Sequence, residues 1–214
     1  MCKRGVRDHV RVVVTTPEPQ PMPVAGKEVG ATMMALLKER NIEFFPEYKP
    51  VRIDAEGQAV AYENGESISF DTLAAMPPHR APKVVREAGL ADNSGFVPVE
   101  LGTFKTAVEN VYAVGDVASI KLPGGKPHPK AGVFAEAQAV AVAKNIIAEM
   151  EGAEGVRYEG KGACYIDIGM EKAIPAEIHL LTPEGPKVFL GQPSKEGIEQ
   201  KLRFERERLR RWFG

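Results

Sequence analysis

The chain has 214 residues, 43% of them apolar and 27% charged, enough to bury a core in one large domain or two small ones. A formal net charge of −1, from 28 Lys and Arg against 29 Asp and Glu, gives no field that would gather nucleic acid, and two cysteines, Cys2 and Cys164, exclude a disulfide scaffold. No apolar run approaches the roughly 20 residues of a bilayer span and the opening MCKRGVRDHV lacks a signal peptide's apolar core, so a reducing cytosol is the expected setting and any membrane contact peripheral.

The first predicted element is a strand in VRVVVTTPEP (10 to 19), a β-branched run closed by prolines; GATMMALLKER (30 to 40) then carries apolar residues at helical spacing, a β-then-α unit. IEFFPEY, VRIDAEGQAVAYENG and SISFD come next as short strands, with a hairpin turn at Glu56-Gly57. TLAAMPPHRAP is expected to end an apolar strand on two prolines, and ENVYAVGD to form another strand. A seam between two sheet systems is placed near 100 to 110, in ELGTFKTAVEN. The stretch from 131 to 150, AGVFAEAQAVAVAKNIIAEM, has almost no polar face and should be a helix buried between layers. The tail from 195 to 214 is helical, with Ile198, Leu202, Leu209, Trp212 and Phe213 on one stripe and seven basic against four acidic residues around it. Such a helix suits an anionic membrane surface, or docking on its own domain or on a twin subunit.

VYAVGDVAS (111 to 119) stops its strand on Gly115 and Asp116. Glycine lets a ligand approach the backbone, and a short carboxylate accepts hydrogen bonds from sugar-like hydroxyls. As a bare dipeptide it reads equally as a turn in which Asp116 caps the next element. A glycine-rich loop and the long apolar helix come next, and the helix's first turn, Lys130 to Val133, points free N–H groups and a positive dipole end at whatever lies above. His128 is a loop histidine, expected to be solvated or to serve as a proton donor. Glu18 reads as a turn residue, and His9, His79 and His179 form no metal-ligand spacing, so no metal is expected.

TFKTAVENVYAVGDVAS with HPKAGVFAEAQAVAVAKNI resembles the second flavin-binding motif of the sulfide:quinone oxidoreductase family and of its relative, the flavoprotein subunit of flavocytochrome c sulfide dehydrogenase. KRGVRDHVRVVVTTPEP, MPPHRAPKVVREAGLADNSGFVPV and GACYIDIGMEKA are similar to consecutive stretches of the same family, so the resemblance is collinear over essentially the whole chain. It implies an α/β fold: part of a two-dinucleotide-binding-domain, Rossmann-like flavoprotein with a C-terminal strand-and-helix region. Residues 1–104 would be the C-terminal part of the second, NAD-type domain, 105–158 the C-terminal part of the FAD-binding domain, and 159–214 a quinone-facing or interface region. It also implies FAD, with Asp116 on the ribityl chain, Gly115 giving that chain room, and the backbone of Lys130, Ala131, Gly132 and Val133 beside the pyrimidine edge of the ring. Cys164 falls where the family carries a redox cysteine, making sulfide the donor and quinone the acceptor. By residue chemistry alone, Cys164 reads as a small buried hydrophobe on a strand.

The chain departs from the family by having no G-x-G-x-x-G motif; Gly160 and Gly162 precede a strand-like run rather than a helix. It is therefore expected to correspond to the C-terminal half, with the first redox cysteine upstream, Cys2 without a redox role, and the isolated chain colourless or weakly yellow. Three readings compete: a sulfide:quinone oxidoreductase, cytoplasmic or peripheral at the inner membrane surface; an NAD(P)H:quinone or ferredoxin-type flavin reductase; or a non-catalytic dimerising module. An N-terminal companion segment or a twin subunit is the expected macromolecular partner.

Overall fold

The computed structural model describes residues 4–214, so Cys2 lies outside the described residues. The chain forms two compact units, Met1–Pro77 and Pro78–Gly214.

In the first unit, strand β1 (Val12–Thr15) runs into helix α1 (Lys27–Glu39), which returns the chain to strand β2 (Ile42–Phe45). β1 and β2 pair in parallel, Val12 with Ile42 through Thr15 with Phe45. This is the predicted β-α-β unit, with the expected strand trimmed to its β-branched centre because Pro17 and Pro19 cannot continue it. Arg7 ties its two ends, donating to the carbonyls of Val10 at 2.7 Å, Arg40 at 2.5 Å and Asn41 at 2.7 Å. Glu18 sits in a bend, as expected. Strands β3 (Pro50–Asp54), β4 (Ala59–Tyr62) and β5 (Ser67–Ser69) form an antiparallel meander. Its first turn is the predicted hairpin, closed by the Gly57 N–H donating to Asp54 Oδ1 at 2.9 Å.

The second unit opens with a short helix, α2 (Lys83–Glu87). The division between units falls at Pro77–Pro78, upstream of the seam placed near 100 to 110. Within this unit β6 (Val97–Pro98) runs parallel to β7 (Ala118–Ser119). Two predicted strands do not form. Residues 73 to 80 form no strand or bridge, with Met76 82% exposed. Residues 111 to 114 make only an isolated bridge, Tyr112 to Lys105. Helix α3 (Gly132–Glu151) appears within a residue of its expected limits and ends at Gly152 in the left-handed conformation, φ 66°, with the Ala153 N–H reaching the Ala148 carbonyl at 2.8 Å. It is not buried all round: Phe134, Gln138, Ala141, Val142 and Ala148 face the core, while Ile147 is 54% and Met150 83% exposed.

Strands β8 (Lys161–Asp167), β9 (Ala173–His179) and β10 (Lys187–Leu190) form an antiparallel sheet in the order β10-β9-β8. Helix α4 (Lys195–Phe213) packs on β8 and β9, its start capped by Ser194 Oγ accepting from the Gly197 N–H at 3.0 Å. No helix among the described residues is long and apolar enough to cross a membrane.

Candidate functional site

The Gly115–Asp116 step is a single 3-10 turn, Gly115–Val117, rather than a strand end. Gly115 adopts φ 70°, which a side chain would strain, and an added Cβ would also crowd Ala135 at 3.2 Å. The turn therefore lies flat against the first turns of α3. The Asp116 carboxylate is exposed and accepts no hydrogen bond from the described residues. Its carbonyl is engaged: the Lys130 ammonium donates to it and, at 3.2 Å, to the Ala118 carbonyl, while lying 3.8 Å from the centre of the Phe96 ring. Partial burial lowers the Lys130 pKa and the Asp116 charge opposes that. Lys130 thus straps the turn to the segment that leads into α3.

The α3 N-terminus carries no side-chain cap. Gly132 is exposed and a side chain there would meet nothing within 4 Å, so no side chain covers the first turn, Ala131 to Val133, at that point. Those three residues line one wall of an open, mostly apolar cavity of about 550 Å³. Cys164 on β8 lines the second wall, and Phe204, Leu209 and Trp212 on α4 the third. The structure thus brings Cys164 together with the predicted helix start, some 30 residues away in sequence, and adds an aromatic wall.

Two contacts set these walls. Gly162 admits β8 against α3, because a Cβ there would come within 2.6 Å of Phe134 Cε1. Glu136 clasps α4 to α3, accepting from Arg208 Nε at 2.9 Å and Nη2 at 2.8 Å and from Arg211 Nη1 at 3.0 Å. Arg208 in turn stacks on Phe204 at 3.5 Å. The packed face of α4 is Gly197, Lys201, Phe204 and Arg208, not the stripe read from sequence. Leu209, Trp212 and Phe213 of that stripe are 51%, 56% and 83% exposed.

The Cys164 thiol is half-buried, and burial pushes its pKa up. Lys161, close in sequence, does not counter this: its ammonium pairs with Glu159 at 2.8 Å. No group of His, Cys, Asp and Glu side chains suited to a metal occurs among the described residues.

His128 corrects the sequence reading. It is 8% exposed, with Nδ1 2.8 Å from the Pro129 carbonyl and Nε2 3.0 Å from the Tyr158 hydroxyl. Burial lowers its pKa, Lys130 adds to that, and the Pro129 hydrogen bond opposes it. Sequence reasoning missed Gln138 and Tyr158 altogether. Gln138, 2% exposed in the middle of α3, accepts from the Gly115 N–H at 2.7 Å; burial pushes the Tyr158 hydroxyl up to about 12, with the Gln138 amide opposing it. A glutamine in an otherwise Ala/Val-rich helix is the one local sign of this arrangement.

Residues 2–142 match the family described as pyridine nucleotide-disulphide oxidoreductase. The crystal structure of sulfide:quinone oxidoreductase from Aquifex aeolicus superposes with a TM-score of 0.81 at 26% identity, over 96% of this chain and 51% of that one. The mitochondrial sulfide:quinone oxidoreductase of Mus musculus is 23% identical over 82% of this chain and 39% of its own length. That of Schizosaccharomyces pombe is 33% identical over 59% of this chain and 26% of its own. The chain spans about half the length of the solved relative and less of the curated ones.

Proposed function

Because this chain belongs to the pyridine nucleotide-disulphide oxidoreductase family, we propose that it forms the part of a flavin oxidoreductase that holds FAD and faces the acceptor, with sulfide as donor and quinone as acceptor. One observation carries the reading: a single cavity joins an uncapped helix start, a cysteine and an aromatic wall. The cavity's helix wall and the Gly115–Asp116 turn packed on the same helix suit a flavin. Asp116 presents a free carboxylate suited to ribityl hydroxyls, and the amides of Ala131, Gly132 and Val133 offer donors and a positive dipole end to the pyrimidine edge. FAD, when bound, supplies a two-electron carrier that can also release electrons singly.

The protein's own part in the chemistry is sulfur handling. The Cys164 thiol takes sulfur from hydrogen sulfide as a persulfide: thiol, hydrogen sulfide and quinone give persulfide and quinol, with two electrons and two protons reaching the quinone. A second hydrosulfide ion then displaces the outer sulfur, leaving as hydrodisulfide and restoring the thiol. The quinone would approach past Leu209, Trp212 and Phe213, whose exposure beside Arg206 and Arg210 suits peripheral contact with an anionic membrane surface.

Burial favours the protonated thiol, and this specific observation supports a second reading in which Cys164 is only a wall residue and a nicotinamide supplies the electrons. The two separate in one assay. The full chain reconstituted with its N-terminal companion segment and FAD is given a short-tailed ubiquinone analogue and either sulfide or NADH, and quinone absorbance is followed. Sulfide-dependent reduction that Cys164→Ser abolishes without loss of bound flavin is the expected result. Reduction with sulfide at the unmodified rate in Cys164→Ser overturns the sulfur chemistry, and reduction with NADH alone moves the assignment to the second reading.

A further inference from the structure

Beneath the Gly115–Asp116 turn runs a buried chain of hydrogen bonds whose direction is fixed from one end. The Pro129 carbonyl can only accept, so His128 Nδ1 carries a proton and donates to it at 2.8 Å. Nε2 of the neutral ring must then accept, and the Tyr158 hydroxyl donates to it at 3.0 Å. Gln138 acts on the same hydroxyl, its amide opposing the burial that raises the tyrosine's pKa. Gln138 Oε1 accepts from the Gly115 N–H at 2.7 Å, and a flipped amide would set two donors against each other there. No fully buried side-chain nitrogen or oxygen among the described residues lacks a partner.

The apolar surroundings give the chain its stiffness. Phe134 meets His128 edge-on at 5.1 Å and Phe104 meets Tyr158 edge-on at 5.2 Å, and both phenylalanines are at most 1% exposed. A leucine at position 138 would fill the helix core but leave the Gly115 N–H without an acceptor, whereas the buried glutamine supplies one. The N–H of Gly115 is the group that most needs an outside acceptor, since its left-handed residue opens a 3-10 turn and has no partner within that turn.

We propose that Gln138 is a positioning residue: by accepting from the Gly115 N–H it fixes the Gly115–Asp116 turn to α3, so that the Asp116 carboxylate and the first-turn amides of α3 are presented at one fixed spacing. This deepens the flavin reading above and rests on it. The two elements that would grip opposite parts of one ligand are 15 residues apart in sequence, joined by a glycine-rich loop with Gly124 and Gly125 at positive φ, and such a loop by itself does not fix their distance.

The test uses the full chain labelled with ¹⁵N-glycine, reconstituted with its N-terminal companion segment and titrated with FAD, read by flavin fluorescence and by the Gly115 amide resonance. Gln138→Leu should speed exchange of the Gly115 amide and weaken FAD binding, each by roughly tenfold, the scale of a buried donor left unbonded. Gln138→Glu, which keeps an acceptor for Gly115, should retain the amide's protection. Asp116→Ala should weaken FAD binding with Gly115 still protected, and adding Gln138→Leu to it should cost no more than about twofold further, because Gln138 acts through the turn. Gln138→Asn keeps the amide but shortens its reach to Gly115 by one carbon, and should weaken FAD binding by a fewfold factor; it serves if Gln138→Leu does not fold. Additive effects of Gln138→Leu and Asp116→Ala, or unmodified FAD affinity and Gly115 exchange in either Gln138→Leu or Gln138→Asn, overturn the positioning role. Unchanged FAD affinity in Asp116→Ala, or a Gly115 resonance that FAD does not move in the unmodified chain, overturns the flavin reading itself.

Discussion

Replacing Gly162 with alanine tests how β8 is set against α3, and with it the spacing of the cavity walls. The new Cβ would stand 2.6 Å from Phe134 Cε1 and 3.2 Å from both Cδ1 and Cζ. Carbon atoms rest at about 3.5–4.0 Å, so the ring has to retreat by about 1 Å. It has nowhere to go: Phe134 is 1% exposed and abuts His128, which is itself held at both ring nitrogens. Overpacking of this kind costs about 1–3 kcal/mol, and an immobile ring places Gly162→Ala in the upper part of that range. At about 2–4 °C per kcal/mol for a chain of this size, 2–3 kcal/mol lowers the melting temperature by about 4–12 °C. Thermal unfolding followed by near-ultraviolet circular dichroism reads this, with a denaturant midpoint as an independent measure. Phe134→Leu in the Gly162→Ala background should recover part of the loss, with a coupling above about 0.5 kcal/mol. Gly162→Ala within about 0.5 kcal/mol of the unmodified chain would refute the reasoning.

Burial holds the His128 pKa below its ordinary value, so the unfolded chain binds that proton more readily. Stability from this group is present above the unfolded pKa and lost as pH falls through the folded one; denaturant midpoints measured downward from pH about 7.5 should fall less steeply in His128→Gln, and equal slopes would contradict the burial. Burial raises the Cys164 pKa, so its alkylation by iodoacetamide should titrate above the range of a free thiol, and reaction at or below that range would show an activating neighbour. Trp212 is the chain's one tryptophan and is 56% exposed. Its emission should move to shorter wavelength on vesicles containing phosphatidylglycerol and return in 1 M salt, where screening shortens to about 3 Å; emission indifferent to the vesicles would remove the membrane contact.

Period and punctuation made α3 and the β3–β4 hairpin legible, since Gly152 ends the one and Gly57 turns the other within the local sequence. The 111–114 stretch misled because an apolar run before a glycine reads as a strand whether or not a neighbour is there to pair with it; here only Tyr112 finds a bridge. His128 looked solvated because loop position is local, whereas its burial comes from Tyr158, distant in sequence, and from Phe134 in the helix that follows. Gln138 and Tyr158 carry no motif at all, and each matters through a partner far along the chain, Gly115 for the one and His128 for the other. On α4 the expected stripe was apolar, yet contact with α3 is made by Arg208 through its stack on Phe204 and its bond to Glu136, a polar packing that a hydrophobic pattern does not reveal.

The clasp between α3 and α4 is lopsided in its fault tolerance. One carboxylate, Glu136 with a side chain 16% exposed, serves two guanidiniums, the sheltered Arg208 at 24% and the open Arg211 at 63%. Losing Arg211 leaves the carboxylate still gripped, and losing Arg208 leaves a weaker second hold. Losing Glu136 frees both arginines at once and leaves two like charges a turn apart on the helix that walls the cavity. Redundancy is therefore built in on the α4 side alone, and the α3 side is a single point of failure.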